Sequence, residues 1–187
     1  MARLILGSSS PRRKELLQLI GVTFEVVPPE GIIERLSERF SEVELAELSY
    51  RKAENVYFRN PDAVIVGADT VVVLNGLVLG KPSSIEAAYE MLSALSGKTH
   101  SVYTSVSVVS EEDEFTFVEE TAVTFREMPG KVLKEYSASG ISLDKAGAYG
   151  IQDCGAIFVR SISGDFYNVM GLPIGRLWEE LHSRGVI

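Results

Sequence analysis

Residues 3–13, Arg3-Leu4-Ile5-Leu6-Gly7-Ser8-Ser9-Ser10-Pro11-Arg12-Arg13, carry the reading that decides the fold. Arg3–Leu6 reads as a strand, Gly7–Ser9 as a small hydroxyl-rich loop, and the chain beyond Ser10 as a helix. Ser10 suits the N-cap and Pro11 the first helical position, so a helix is expected over Pro11–Ile20, ending at Gly21. The loop offers hydroxyls and free backbone N–H groups beside the positive end of that helix, where an anion is at home. Arg12 and Arg13 in the first turn oppose the helix dipole, at about 0.3–1 kcal/mol each. A bound polyanion would remove the conflict, because guanidinium groups grip phosphate oxygens in pairs. A solvated basic turn would leave it standing. The glycine and lysine spacing is not that of a Walker A loop.

Working outward, strand and helix patterns alternate along the chain, which indicates an α/β fold. Thr23–Val27 is a second strand pattern, and a helix is expected from Ser41 to Phe58, opened by a capping box of Ser41 and Glu44. Val64–Val66 and Val71–Leu74 read as strands, the second turning at Asn75-Gly76 into Leu77–Leu79. Ser83 and Glu86 form a second capping box, and the helix behind them aligns Ala88, Met91, Leu92 and Leu95 on one face. Ser101–Val109 and Phe115–Arg126 alternate like strands across the turn Glu111-Glu112-Asp113. A short helix comes after Pro129, Ala156–Ile162 reads as a strand, and Pro173–His182 as a helix burying Ile174, Leu177, Trp178 and Leu181. With no linker, repeat or low-complexity stretch, one domain over residues 1–187 is expected.

The net charge of −8 argues against a protein that coats nucleic acid or anionic membrane, yet leaves room for a small anion held by local cations. No apolar run approaches the roughly 20 residues that span a bilayer. The opening apolar stretch is too short for a signal peptide. A single cysteine, Cys154, excludes an internal disulfide, fits a reducing cytoplasm and is expected to behave as a small apolar residue. Two histidines, His100 and His182, provide neither a His-rich zinc site nor a suitable thiolate–imidazole pair. Acid–base and metal chemistry therefore fall to carboxylates and lysines.

Asp69 stands in the apolar run Val64–Val73, where an unpaired ionised carboxylate would be costly. It either caps a turn between strands or serves a cleft as metal ligand or general base, with Gly67 and Ala68 leaving space for a ligand. Counting back through the Asn75-Gly76 turn puts Lys81 opposite Thr70, with Asp69 on the other face. For Asp69 and Lys81 to serve one site the ladder must bulge or end, which Gly80 permits. Glu34 and Lys52 are surface charges by default. Asp144–Gln152 reads as an ordered, glycine-punctuated loop suited to shaping a pocket, and the Gln152 amide can both donate to and accept from a base edge. Gly164–Pro173 precedes the last helix and brings a second helix N-terminus into play.

In order, Ser8–Arg13, Gly67–Thr70, Lys81-Pro82, Ser96–His100, Asp144–Gln152 and Asn168–Pro173 resemble the Maf family of nucleotide pyrophosphatases. The resemblance implies a two-lobed α/β fold: a mostly mixed central sheet flanked by helices, with a deep cleft between the lobes, usually in a homodimer. It implies hydrolysis of a nucleoside triphosphate between the α- and β-phosphates with a divalent cation, Mg²⁺ or Mn²⁺. Asp69 falls on the family's catalytic carboxylate, and Ser8, Arg13, Glu34, Lys52 and Lys81 fall on positions around phosphates and metal. Lys52 and Lys81 are thereby expected to act in catalysis, and Glu34 with Asp69 to ligate the metal. Arg12, Thr70 and Gln152 match the positions that set base choice in the dTTP/UTP branch. A sister branch acting on 7-methyl-GTP differs there. A non-catalytic role in cell division is also attached to the family.

Overall fold

The computed structural model describes residues 3–187; Met1 and Ala2, with which the expected domain 1–187 opens, lie outside them. The strands are β1 (Arg3–Gly7), β2 (Glu25–Val26), β3 (Ala63–Leu74), β4 (Leu77–Leu79), β5 (Thr99–Val109), β6 (Glu114–Phe125) and β7 (Val159–Ser163). The helices are α1 (Pro11–Leu19), α2 (Glu42–Tyr57), α3 (Ile85–Leu95), α4 (Gly130–Ala138), α5 (Phe166–Met170) and α6 (Ile174–Ser183). The strands form one mixed sheet in the order β2-β1-β3-β5-β6-β7, with β4 also on β3.

β3 organises the molecule. Its first half pairs in parallel with β1, up to Gly7 beside Gly67, and its last three residues pair antiparallel with β4, from Val72 beside Leu79. Neither strand pairs with Ala68–Val71, so the sheet splits along one edge of β3. On the other edge β5 pairs throughout, from Ile65 beside Val109 to Val73 beside Ser101. That continuous pairing explains why the two strands expected at Val64–Val66 and Val71–Leu74 are one: the small and polar residues between them stay extended against β5.

Alternation along β3 then sorts its side chains. Val66 and Ala68 join a core with Leu16, Leu17, Leu172 and Leu177, while Val72 and Leu74 join another with Leu92, Leu95, Phe125 and Phe158. On the opposite face Ile65 packs with Ala53 and Val56 of α2, and Val71 and Val73 pack with Leu45. Two apolar halves thus share one sheet, with the split between them.

Several local expectations are corrected. The second strand is only Glu25–Val26. The α3 cap is Ser84, whose side chain accepts from Ala87 N at 3.1 Å, one residue past Ser83. Ser41 caps α2 as expected, but the Glu44 carboxylate reaches past it to Ser37 N (2.8 Å) and Oγ (2.7 Å). Cys154–Phe158 form a 3-10 turn, capped by the Asp153 side chain on Gly155 N, and the strand starts only at Val159. Cys154 is exposed there. Met91 is only half-buried. Trp178 lies outside the stripe of Ile174, Leu177 and Leu181; it is 43% exposed and stacks on His182. Among the described residues no helix is long and apolar enough to cross a membrane.

Candidate active site

At the split lies a cleft of about 770 Å³, and it is lined by Ser8, Arg12, Arg13, Glu34, Lys52, Asp69, Thr70, Lys81 and Gln152. Every residue singled out from the sequence as a site residue therefore meets in one place. β1 ends at the cleft and delivers Ser8 and the α1 N-terminus. The buried Ser8 hydroxyl accepts from Ser10 N at 3.1 Å, and Ser10 caps the helix. Lys81 reaches the cleft because the β3–β4 ladder stops at Leu79.

Asp69 points to the α2 face of β3, is 14% exposed, and is hydrogen-bonded to the buried Lys52 ammonium. The same ammonium is 2.6 Å from Glu34 Oε1, and Lys81 lies 3.9 Å from Glu34 Oε2. Partial burial pushes the Glu34 carboxyl up, but hydrogen bonding and charge from Lys52, with Lys81 and Arg13, hold it below the usual carboxylate range. Two carboxylates thus converge on one cation at the base of the cleft. The backbone makes this reach short. A Cβ on Gly67 would lie 2.7 Å from both Ser49 O and Ala53 N, so α2 seats directly on β3 beside Lys52. Gly67 serves helix packing; the space expected there for a ligand is taken by α2.

Thr70 faces the opposite side of β3 and meets Arg13. The guanidinium donates from Nε to Gly171 O (2.9 Å), from Nη1 to Ala68 O (2.8 Å) and from Nη2 to Thr70 Oγ1 (3.0 Å). It fills part of the gap that β1 and β4 leave, and burial depresses its pKa. The dipole conflict is met here by backbone carbonyls as well as by nearby carboxylates. Arg13→Ala is expected to lower stability by about 1–3 kcal/mol without any nucleotide present, because buried carbonyls lose their donors. Chemical denaturation of the unliganded protein checks this; unchanged stability would return Arg13 to a purely ligand-gripping role. Arg12 is bonded at 2.9 Å to Asp144 Oδ2, across the cleft on the loop that carries Gln152. Gln152 itself is exposed.

The wall of the 144–152 loop is built on a buried histidine. His100 Nε2 lies 2.8 Å from Tyr149 Oη, with the ring edge-on to Phe125. Burial pushes the imidazole pKa down to about 4, against an ordinary value of 6.5. Between those values the unfolded chain binds more protons than the folded one, so stability is full above pH 6.5 and is lost as pH falls toward 4. The gap corresponds to about 3 kcal/mol. Denaturation from pH 7 to pH 4 should show His100→Phe losing less stability than the wild type by that order. Parallel curves would refute the assignment.

The chain matches the family described as Maf-like protein over residues 3–184. It belongs to the Maf family. A Maf relative named dTTP/UTP pyrophosphatase from Thermotoga maritima is 49% identical over 185 residues, spanning 98% of this chain and 90% of that protein. One of the same name from Bacillus cereus strain B4264 is 48% identical over 182 residues, spanning 97% and 95%. Among solved structures, the Ham1 protein of Staphylococcus aureus aligns with a TM-score of 0.48 at 14% identity, over 67% of this chain and 72% of that one. Beyond the residues expected from the sequence, Arg35 and Lys145 also line the Maf cleft. Lys145 is tied to Asp144 Oδ1 at 2.7 Å and to Ile141 O at 2.5 Å, which braces the loop. Arg35 had no sequence signal, whereas Lys145 falls within the Asp144–Gln152 loop expected to shape the pocket.

Proposed function

We propose that the chain hydrolyses dTTP and UTP between the α- and β-phosphates, releasing the nucleoside monophosphate and diphosphate. The observation that carries this reading is the meeting of Asp69, Lys52, Glu34 and Lys81 at the open edge of β3, in the cleft that also holds Arg12, Thr70 and Gln152. Identities of 49% and 48% to proteins named dTTP/UTP pyrophosphatase support it.

The phosphate tail lies toward Ser8, Arg13 and the α1 N-terminus, whose free N–H groups favour anions, and Arg12 lies with Gln152 toward the base. Asp69 takes a proton from the attacking water. Lys52 and Lys81 stabilise the charge that gathers on the phosphoryl oxygens and the departing diphosphate. Among the described residues no cluster of three or more His, Cys, Asp or Glu side chains could hold an ion alone. Glu34 and Asp69 nevertheless converge on one ammonium, a donor set that suits Mg²⁺ or Mn²⁺ when phosphates complete the shell. Held by those two carboxylates, the ion would offset negative charge on the substrate. On this reading the enzyme works as a cytoplasmic homodimer and binds neither nucleic acid nor membrane.

Uracil and thymine present acceptor, N3–H donor and acceptor along one edge. Gln152 donates to a carbonyl while accepting from N3–H, and cytosine reverses that pattern. Purines are excluded by size. The test is kcat/KM for UTP, dTTP, CTP, GTP and 7-methyl-GTP, with and without Mg²⁺, in wild type and Gln152→Ala. Gln152→Ala is expected to lose about tenfold or more on UTP and dTTP and much less on CTP. Preference for a guanine nucleotide would overturn the pyrimidine reading. No turnover at all would favour a non-catalytic regulator.

A further inference from the structure

Two consecutive buried residues behind the cleft wall, between the lining residues Ala146 and Tyr149, stand in the left-handed region, Gly147 at φ 66° and Ala148 at φ 63°. Glycine adopts this conformation freely; alanine is disfavoured there, and Ala148 is fully buried. Such a conformation persists only where its surroundings over-determine it. Gly147 N donates to Gly80 O at 3.1 Å, and Ala148 N to Lys145 O at 3.1 Å. A Cβ on Gly147 would lie 2.9 Å from Val72 Cγ2, so the turn is pressed onto β3. The next residue, Tyr149, is held by His100 at 2.8 Å, and Gly150 N donates to Tyr136 Oη at 3.4 Å.

Histidine is a costly occupant of this position. His100 is 3% exposed and its Nδ1 has no partner among the described residues. A slightly larger phenyl ring would pack against Phe125 and Tyr149 without desolvating an imidazole. It could not hold the Tyr149 hydroxyl. Tyr149 and Gly150 line the cleft with Gln152.

We infer that His100 and Tyr149 are positioning residues for base selection: their hydrogen bond keeps the 146–152 turn in its strained form and so sets Gln152 against the base. The inference rests on the proposed contact between Gln152 and a pyrimidine. Tyr149→Phe keeps the ring and removes the hydroxyl. The ratio of kcat/KM for UTP to that for CTP is expected to fall about three- to tenfold in Tyr149→Phe, with the melting temperature lowered by a few degrees because the buried His100 Nε2 loses its partner, and the protein still folded. His100→Phe should reproduce the loss, and His100→Gln, which can still donate to Tyr149, should recover part of it. In a Gln152→Ala background Tyr149→Phe should leave the ratio where it is, because the two act as one unit. An unchanged ratio in both single variants would overturn the inference, as would equal losses on both nucleotides or an additive loss in the double variant. A wild type that does not distinguish UTP from CTP would overturn the Gln152 reading as well, and shows itself before any substitution.

Discussion

Asp69→Asn is expected to lower kcat by about 10²–10⁴ while nucleotide binding and folding survive. Asparagine has the shape of aspartate but cannot take a proton from water. Lys52 keeps Glu34 as a partner 2.6 Å away, so the substitution does not strand a buried ammonium. Measurement of kcat at saturating UTP, with calorimetry on a non-hydrolysable triphosphate and a melting curve as controls, decides the matter. If raising Mg²⁺ or Mn²⁺ restores much of the rate, Asp69 acts chiefly by holding the ion; if not, it acts on the water. A near-normal kcat in a folded variant would remove Asp69 from the chemistry.

Gly67→Ala is expected to act on both stability and turnover, although no substrate would touch residue 67. Its new Cβ would sit 2.7 Å from two backbone atoms of α2, Ser49 O and Ala53 N, and neither can rotate away. The helix must lift, and Lys52, next to Ala53, lifts with it. Overpacking of this kind costs about 1–3 kcal/mol, or roughly 2–4 °C in Tm for each kcal/mol at this chain length. The loss of kcat should exceed what Lys81→Met causes, since lifting α2 draws Lys52 away from Asp69 on β3. Gly7→Ala is the control: its Cβ would make only ordinary contacts, the nearest at 3.4 Å. Equal melting temperatures for the two variants would mean that α2 does not depend on the close seat.

Most of this arrangement was legible in local signals. Ser10 and Pro11 marked α1, Asn75-Gly76 marked the β3–β4 turn, and a lone carboxylate in an apolar run marked Asp69. What was not legible depended on partners distant in sequence. Gly67 looked like room for a ligand because nothing near it announces a helix packed against its Cα. The first turn pointed Arg13 toward a phosphate, but that Gly171 O and Ala68 O also hold it depends on the fold. Residues 67–70 looked like a break between strands because the pairing of β5 across them cannot be seen from β3 alone. Phe158 has the apolar character of a strand residue, but Asp153 capping Gly155 N turns that stretch before the strand begins.

The unbroken pair of β3 and β5 has a mechanical consequence. The two halves are joined across the cleft by paired strands, so their relative angle is set by strand twist, an elastic property without a swivel point. The paired strands supply no hinge between the two halves along β3 and β5. Widening or narrowing the cleft must strain those strands, which leaves discrimination among ligands to the chemistry of the walls instead of to the energy of closing them.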